Sequence, residues 1–292
     1  MFGLLPSNLF IAHSGMGATS GQDNSRSLSP RLWGSLLNPS MATGGDNSGT
    51  MYADDFTLFQ GCLDVATSAL TLPSATAGGL DGYKCYIDVG AKITRVTDDT
   101  GGVILFDAGD TEDDLAIIGT QPLVKISDTA ADAKRTVFEC RVKLNTVAEG
   151  SVFIGLADNT MIADGGLIAD DGGVIAAGDA IGFSVDEADV DGIDFCYQKT
   201  SAVEQRPMTA QVAAADTWYK LGFVYDPSAP QAKRIKVYVD NVEQSTYVTA
   251  DNIAATTFPD GVDLGFVAAS MAGDTPADNG LEVDWWALYQ AN

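Results

Sequence analysis

The sequence predicts an all-β protein: an antiparallel two-sheet β-sandwich of jelly-roll type, carrying an extended N-terminal arm. Three observations lead there. From Met51 onward, short apolar segments with a period of two follow one another, separated by turns bearing Gly, Asp and Pro. No long polar linker divides residues 51–292, so this stretch reads as one domain. Residues 1–50 are different in kind. They are rich in Gly, Ser, Asn and Met, contain no lysine, and their four charges (Asp23, Arg26, Arg31, Asp46) cancel, so the net charge of −24 lies entirely in 51–292.

Taken in order, strands are expected at 54–60, 82–96, 102–107, 114–120, 122–127, 135–144, 151–158, 180–187, 194–199 and 204–212. They continue through the two arms of a hairpin in "DTWYKLGFVYDPSAPQAKRIKVYVDNVEQ" (216–244), then 244–250, 262–270 and 281–290. In "FECRVKL" the alternation sets Phe138, Cys140, Val142 and Leu144 on one face and Glu139, Arg141 and Lys143 on the other. In "RIKVYVD" it puts Ile235, Val237 and Val239 together. Asp240-Asn241 is expected to form a type I′ turn, because Asn tolerates positive φ. The glycine-rich segment 159–179 reads as a long surface loop.

Composition narrows the partners. With 40 acidic against 16 basic residues, the surface repels phosphate backbones and anionic lipid, so neither nucleic acid nor a membrane is expected. No apolar run is long enough for a transmembrane helix. The first residues, "MFGLLPSNLFIAHSG", lack a basic start and are broken by Pro6 and Asn8, unlike a secretory signal. Cys62, Cys85, Cys140 and Cys196 form no CxxC pair, and with one histidine (His13) a zinc site is hard to build. Free thiols in a reducing compartment are the expectation, with a disulfide left open.

The arm has an unusual content for such a composition. Leu4, Leu5, Leu9, Phe10, Leu32, Trp33, Leu36 and Leu37 cannot be buried by a glycine-serine chain alone. They are candidate anchors on a partner, the alternative being packing back onto their own domain.

Three segments resemble the concanavalin A-like, or laminin G-like, sandwich superfamily: "DDFTLF" at the domain start, "WYKLGFVYD…KRIKVYVDNVEQ", and the closing "LEVDWWALYQ". The hairpin together with "VEQSTYVTADNIAATTFPDG" is also similar to virion proteins of tailed bacteriophages of this sandwich class. That resemblance implies a head-decorating or cementing protein on the capsid exterior, assembled in the host cytoplasm. Its implied partners are the major capsid protein and neighbouring copies of the chain, in a trimer for instance. A lectin-like module for glycans and a glycoside hydrolase with an atypical site are the alternatives.

The candidate chemistry is sparse. Retaining glycosidases on this scaffold carry E-x-D-x-x-E on one strand, placing two carboxylates at the spacing that nucleophile and acid require. In "DEADVDGIDF" Glu187 and Asp189 fill the first two positions, but Gly192 occupies the third, so no enzyme activity is expected. Glu187, Asp189 and Asp191 also have a calcium-loop spacing, with Gln198 where a bidentate Glu should stand. Ca2+ there, or in the acidic stretch 98–114, is the one cofactor the sequence admits. His13 has no base-orienting partners in view. Trp218, Trp285 and Trp286 are candidate sugar-stacking residues, although a strand tryptophan more often packs in a core.

Overall fold

Among the described residues, sixteen strands pair antiparallel throughout and divide equally between two sheets. The computed structural model describes residues 28–33, 49–56, 83–88, 90–96, 102–129, 131–146, 150–163, 166–169, 175–176, 178–187, 189–273 and 280–291, with 163 and 189–191 described in backbone only. The first sheet runs in the order β14 (Val242–Val248), β13 (Ile235–Val239), β12 (Thr217–Tyr225), β7 (Thr136–Leu144), β16 (Gly280–Ala291), β4 (Ile104–Asp107) and β3 (Lys92–Arg95). Strand β1 (Gly49–Asp54) pairs with the second half of β16, Asp54 opposite Trp286 and Gly49 opposite Ala291. The second sheet runs β11 (Gln205–Gln211), β10 (Asp189–Gln198), β9 (Ala180–Asp186), β8 (Gly150–Ala157), β15 (Asp263–Ala272), β5 (Leu115–Thr120) and β2 (Tyr83–Ile87), with β6 (Val124–Lys125) beside β15. Single helical turns α1 (Pro30–Trp33), α2 (Thr160–Ala163) and α3 (Ala250–Ile253) and a 3-10 turn at Gln231–Lys233 complete the described elements.

The alternation along the strands builds the core. Phe138, Cys140, Val142 and Leu144 of β7 and Ile235, Val237 and Val239 of β13 all face the space between the sheets. Aromatic rings cross that space: Phe183, Phe195, Phe223 and Phe138 follow one another with centroids 5.5–5.6 Å apart. Phe266 of the second sheet stacks on Trp286 of the first at 4.5 Å with 4° between the planes. The indole of Trp286 donates to the Tyr83 hydroxyl at 2.8 Å, and Tyr83 donates onward to Asp54 at 2.7 Å. That relay ties β16 and β1 of one sheet to β2 of the other. Asp240 and Asn241 take φ of 48° and 66°, the pair of positive angles that a type I′ turn requires.

Several expectations change. The stretch 82–96 forms two strands, and β2 and β3 belong to different sheets. The first strand lies at Gly49–Asp54, so the sandwich starts inside the segment expected to be arm. Segment 159–179 is more than a surface loop: Met161, Ile162, Leu167, Ile168 and Ile175 are buried and pack with Leu115, Ile117, Phe153 and Val267 on the outer face of the second sheet. The glycines and aspartates of this segment mark loop, but its five large apolar side chains need cover, and an apolar sheet face supplies it. Cys85 is disulfide-bonded to a partner outside the described residues, while Cys140 and Cys196 are free and buried. The expectation of thiols throughout is corrected by that bond.

Candidate functional site

Glu139, Arg141 and Lys143 leave β7 on the outer face of the first sheet, where alternation placed them. Solvent reaches them very unequally. Glu139 is 1% exposed because the segment Leu28–Trp33 lies across it. Pro30 opens the single turn of α1, a position where its missing N–H costs nothing, and Trp33 N closes the turn on Ser29 O at 3.0 Å. Leu28, Leu32 and Trp33 then pack with Val137, Val224, Tyr238, Trp285, Ala287 and Tyr289. Polar contacts key the segment in place. Ser29 N and Trp33 Nε1 both donate to Glu139 Oε2, at 3.0 and 2.6 Å, and Arg31 N donates to Asn241 Oδ1 at 2.7 Å.

Gly222 makes the groove deep enough. A Cβ at that position would stand 2.3 Å from Leu32 Cδ1 and 2.7 Å from Phe138 O, so a side chain at 222 would displace Leu32. Burial pushes the Glu139 carboxyl above its ordinary value, against the pull of the Ser29 and Trp33 hydrogen bonds and the Lys220 charge.

Farther along the same face, Arg141 sits over the Trp218 ring, its Cζ 4.1 Å from the centroid, with Lys143 Nζ at 5.5 Å. A bulge between Val283 and Trp285 turns the fully buried Asp284 onto Arg141, and Lys143 pairs with Glu282 at 2.8 Å. Trp218 is thereby fixed as a partly exposed indole backed by paired cations.

The outer face of the second sheet carries the other polar cluster. Arg206 Nη2 lies 2.8 Å from Asp186 Oδ2 and 3.1 Å from Glu204 Oε2, and its Nη1 is 4.0 Å from Asp194. Burial works against the guanidinium charge, but the carboxylates of Glu204 and Asp186 outweigh it and hold the proton more tightly than usual. The guanidinium thus holds Asp186 and Glu204 in charge-assisted contacts, with Asp194 at the edge of ion-pair distance.

The residues expected at sites fare as follows. Trp285 and Trp286 are both fully buried, one under Leu32 and Trp33 and the other in the core, so neither can stack on a sugar. Period two turned one of them inward as expected, while the covering segment buried the other. Leu32 and Trp33 are buried on their own chain, which corrects their reading as contacts to a separate partner. Leu4, Leu5, Leu9, Phe10, Leu36, Leu37 and His13 lie outside the described residues.

Glu187 stands in the turn between β9 and β10, and Asp189 pairs with Asp186. The stretch is thus a hairpin, and the calcium-loop spacing of Glu187, Asp189 and Asp191 runs across its turn. The side chains of Asp189 and Asp191 lie outside the description, and among the described residues no three His, Cys, Asp or Glu groups gather as metal ligands. Gly192 has a steric reason: a Cβ there would meet Thr209 Cγ2 at 2.3 Å and Gln211 O at 2.9 Å. A glutamate cannot complete the E-x-D-x-x-E pattern unless β11 moves. Glu139 and Gly222 escaped the sequence reading, although a lone glycine inside "WYKLGFVY" signals close approach by another group.

No protein-family model matches the chain, and no curated sequence does. Solved structures do. The carbohydrate recognition domain of Emp47p superposes with a TM-score of 0.50 at 12% identity, covering 85% of this chain and 100% of that one. Peanut lectin in complex with a nine-residue peptide matches at 0.48 and 13%, covering 83% and 97%. The catalytic domain of an endo-1,3-β-glucanase (laminarinase) from Thermotoga petrophila RKU-1 matches at 0.47 and 11%, covering 84% and 99%. The two antiparallel sheets and the match to the Emp47p domain make the fold a concanavalin A-like jelly-roll sandwich, and an identity this low speaks to fold alone.

Proposed function

We propose that this chain is a non-catalytic structural protein of a tailed-bacteriophage virion, which decorates the head through its N-terminal arm and presents a lectin-like sandwich outward. The observation that carries the proposal is the docked segment Leu28–Trp33. It fixes the root of the arm on the outer face of the first sheet, and in this reading Leu4, Leu5, Leu9 and Phe10, which precede it in the sequence, supply the contacts to the capsid protein. Many such modest contacts, repeated over a lattice, give avidity that no single one supplies. The charge of −24 on residues 51–292 suits a body that faces solvent and keeps particles apart. The closed position at Gly192 supports a non-catalytic role. The test is co-sedimentation with capsids lacking the protein. A chain without residues 1–27 should melt like the full chain yet stay in the supernatant, and equal co-sedimentation would sink the proposal.

One observation favours a second reading, glycan binding. Trp218 offers an indole already immobilised by Arg141, which lowers the ordering cost of stacking a sugar ring. Glycan-array binding that Trp218→Ala abolishes would support it, and a blank array would remove it.

A further inference from the structure

We infer that the outer face of the first sheet around Trp218 is a site for an acidic glycan, one whose sugar carries a carboxylate or a sulfate group. This rests on the glycan-binding reading above and names the ligand class of that same site.

Charge is the first observation. The chain carries −24 overall, yet its balance around Trp218 is different. Arg141 and Lys143 of β7 and Lys220 of β12 share this face, and the docked segment adds the exposed Arg31, tied to Asn241 at the neighbouring turn. Among the described residues, the carboxylates beside these four cations are all committed. The fully buried Asp284 holds Arg141, and Glu282 holds Lys143 at 2.8 Å. Asp240 takes the Lys220 N–H at 2.9 Å, and Glu139 is covered by Ser29 and Trp33. An anionic sugar therefore meets matched charge here instead of the chain's net repulsion. The Arg206 cluster on the other sheet has the opposite balance, three carboxylates around one guanidinium, and offers an anion nothing.

The ring itself is the second observation. Trp218 stands opposite Lys143 in the register of β7 and β12, and Lys220, opposite Arg141, follows two residues on and so leaves the sheet on the same side as the indole. Arg141 Cζ and Lys143 Nζ lie 4.1 and 5.5 Å from the ring centroid, within the range where a cation draws π density toward itself. A neutral sugar stacks through C–H groups that seek an electron-rich ring, and a ring already engaged by two cations gives it less. A sugar bearing an anion adds a charge-assisted hydrogen bond from the Lys220 ammonium beside the ring. One such bond is worth about tenfold in affinity, enough to decide between an acidic ligand and its neutral counterpart.

Calorimetric titration of the full-length chain with three tetrasaccharides tests the inference: tetragalacturonate, a sulfated galactose tetramer and the neutral galactose tetramer. At least one acidic tetramer should bind about tenfold more tightly than the neutral one. Which of the two it is separates carboxylate from sulfate as the recognised group. Trp218→Ala should abolish that binding, and Lys220→Gln should weaken it about tenfold while leaving any neutral binding unchanged. Circular dichroism confirms that each variant is folded, and Lys220→Gln alone carries the test should Trp218→Ala not fold. Equal affinity for neutral and acidic tetramers, lost in Trp218→Ala, would overturn the acidic preference and leave glycan binding standing. Acidic binding that survives in both variants would place the site elsewhere and overturn the inference. No binding of any of the three would remove the glycan reading and the inference with it.

Discussion

Trp33 donates its indole N–H to Glu139 at 2.6 Å across the boundary between the N-terminal segment and the sandwich. The acceptor oxygen also takes the Ser29 N–H, and the carboxyl group is 1% exposed. Burial makes this carboxylate costly to ionise despite its two donors and the Lys220 charge, and that cost falls on the docked state.

The docking should therefore depend on pH. An acid whose folded pKa is raised binds its proton more tightly when docked than when free. Its contribution is fully present below the ordinary value of 4.5 and is lost as pH rises through the raised one. Tryptic cleavage after the exposed Arg31 should accelerate across that window in the wild type. In Glu139→Gln, which keeps an acceptor for Trp33 without the charge, the rate should stay flat and lower at neutral pH. Equal pH profiles for the two proteins would contradict the assignment.

Trp33→Phe isolates the hydrogen bond from the packing. It keeps most of the ring volume in the groove and leaves Glu139 one donor short, which should cost about 1–3 kcal/mol of docking free energy. Trp33→Ala adds the cavity and should cost about 3–5 kcal/mol. Hydrogen exchange at the Ser29 and Trp33 amides reads both, and the ordering of the two variants is the firm part of the expectation.

The sandwich was legible from its strands because alternation and turn chemistry are local. "FECRVKL" showed which face of β7 is apolar, and Asp240-Asn241 showed where β13 reverses. What covers a face is not local. Alternation put Glu139 on the polar face of β7, and its burial depends on six residues more than a hundred positions earlier in the chain. The burial of Trp285 has the same origin. Segment 159–179 carried enough Gly and Asp to look like plain loop, and only the apolar outer face of the second sheet explains why its isoleucines and leucine are inside. The Arg206 cluster depends on the register of β9, β10 and β11, which periodicity cannot supply.

That cluster makes its own prediction. Removing the guanidinium in Arg206→Met leaves Asp186, Glu204 and Asp194 crowded together without their counter-charge. The loss should be about 3 kcal/mol at neutral pH, near the lower bound for a fully buried pair because Arg206 keeps 23% of its side-chain surface in water. Urea denaturation at pH 7 measures the loss, and an equal loss in Arg206→Lys, which keeps the charge, would show that packing and fork geometry, not charge, are what Arg206 supplies.

Thiol chemistry checks the covalent frame. Cys140 and Cys196 are 0% exposed. Burial raises both thiols well above their ordinary range, and the charges of Glu139 and Glu204 add to it respectively. Neither should react with a thiol reagent in the native protein, because the thiolate is the reactive form and access is closed. In denaturant without reductant the two free cysteines should titrate, and with reductant all four in the chain. Four reactive thiols without reductant would remove the disulfide at Cys85.

Ile162→Ala probes the lid on the second sheet. Ile162, on α2, is fully buried against the face formed by Ile117, Phe153 and Val267, and it carries no polar duty. Truncation removes three carbons' worth of contact and leaves a cavity, at a cost of about 2–5 kcal/mol. Little of that should appear in the core between the sheets, whose residues belong to a separate cluster. The expected signature is local: faster amide exchange from 160 to 179 and binding of a hydrophobic dye to the uncovered face. The near-ultraviolet signal of the stacked Trp286 and Phe266 should persist, since that pair lies on the far side of β15. Loss of that signal together with the lid would mean that lid and core form one cooperative unit, and the segment would then be part of the sandwich instead of a cover laid upon it.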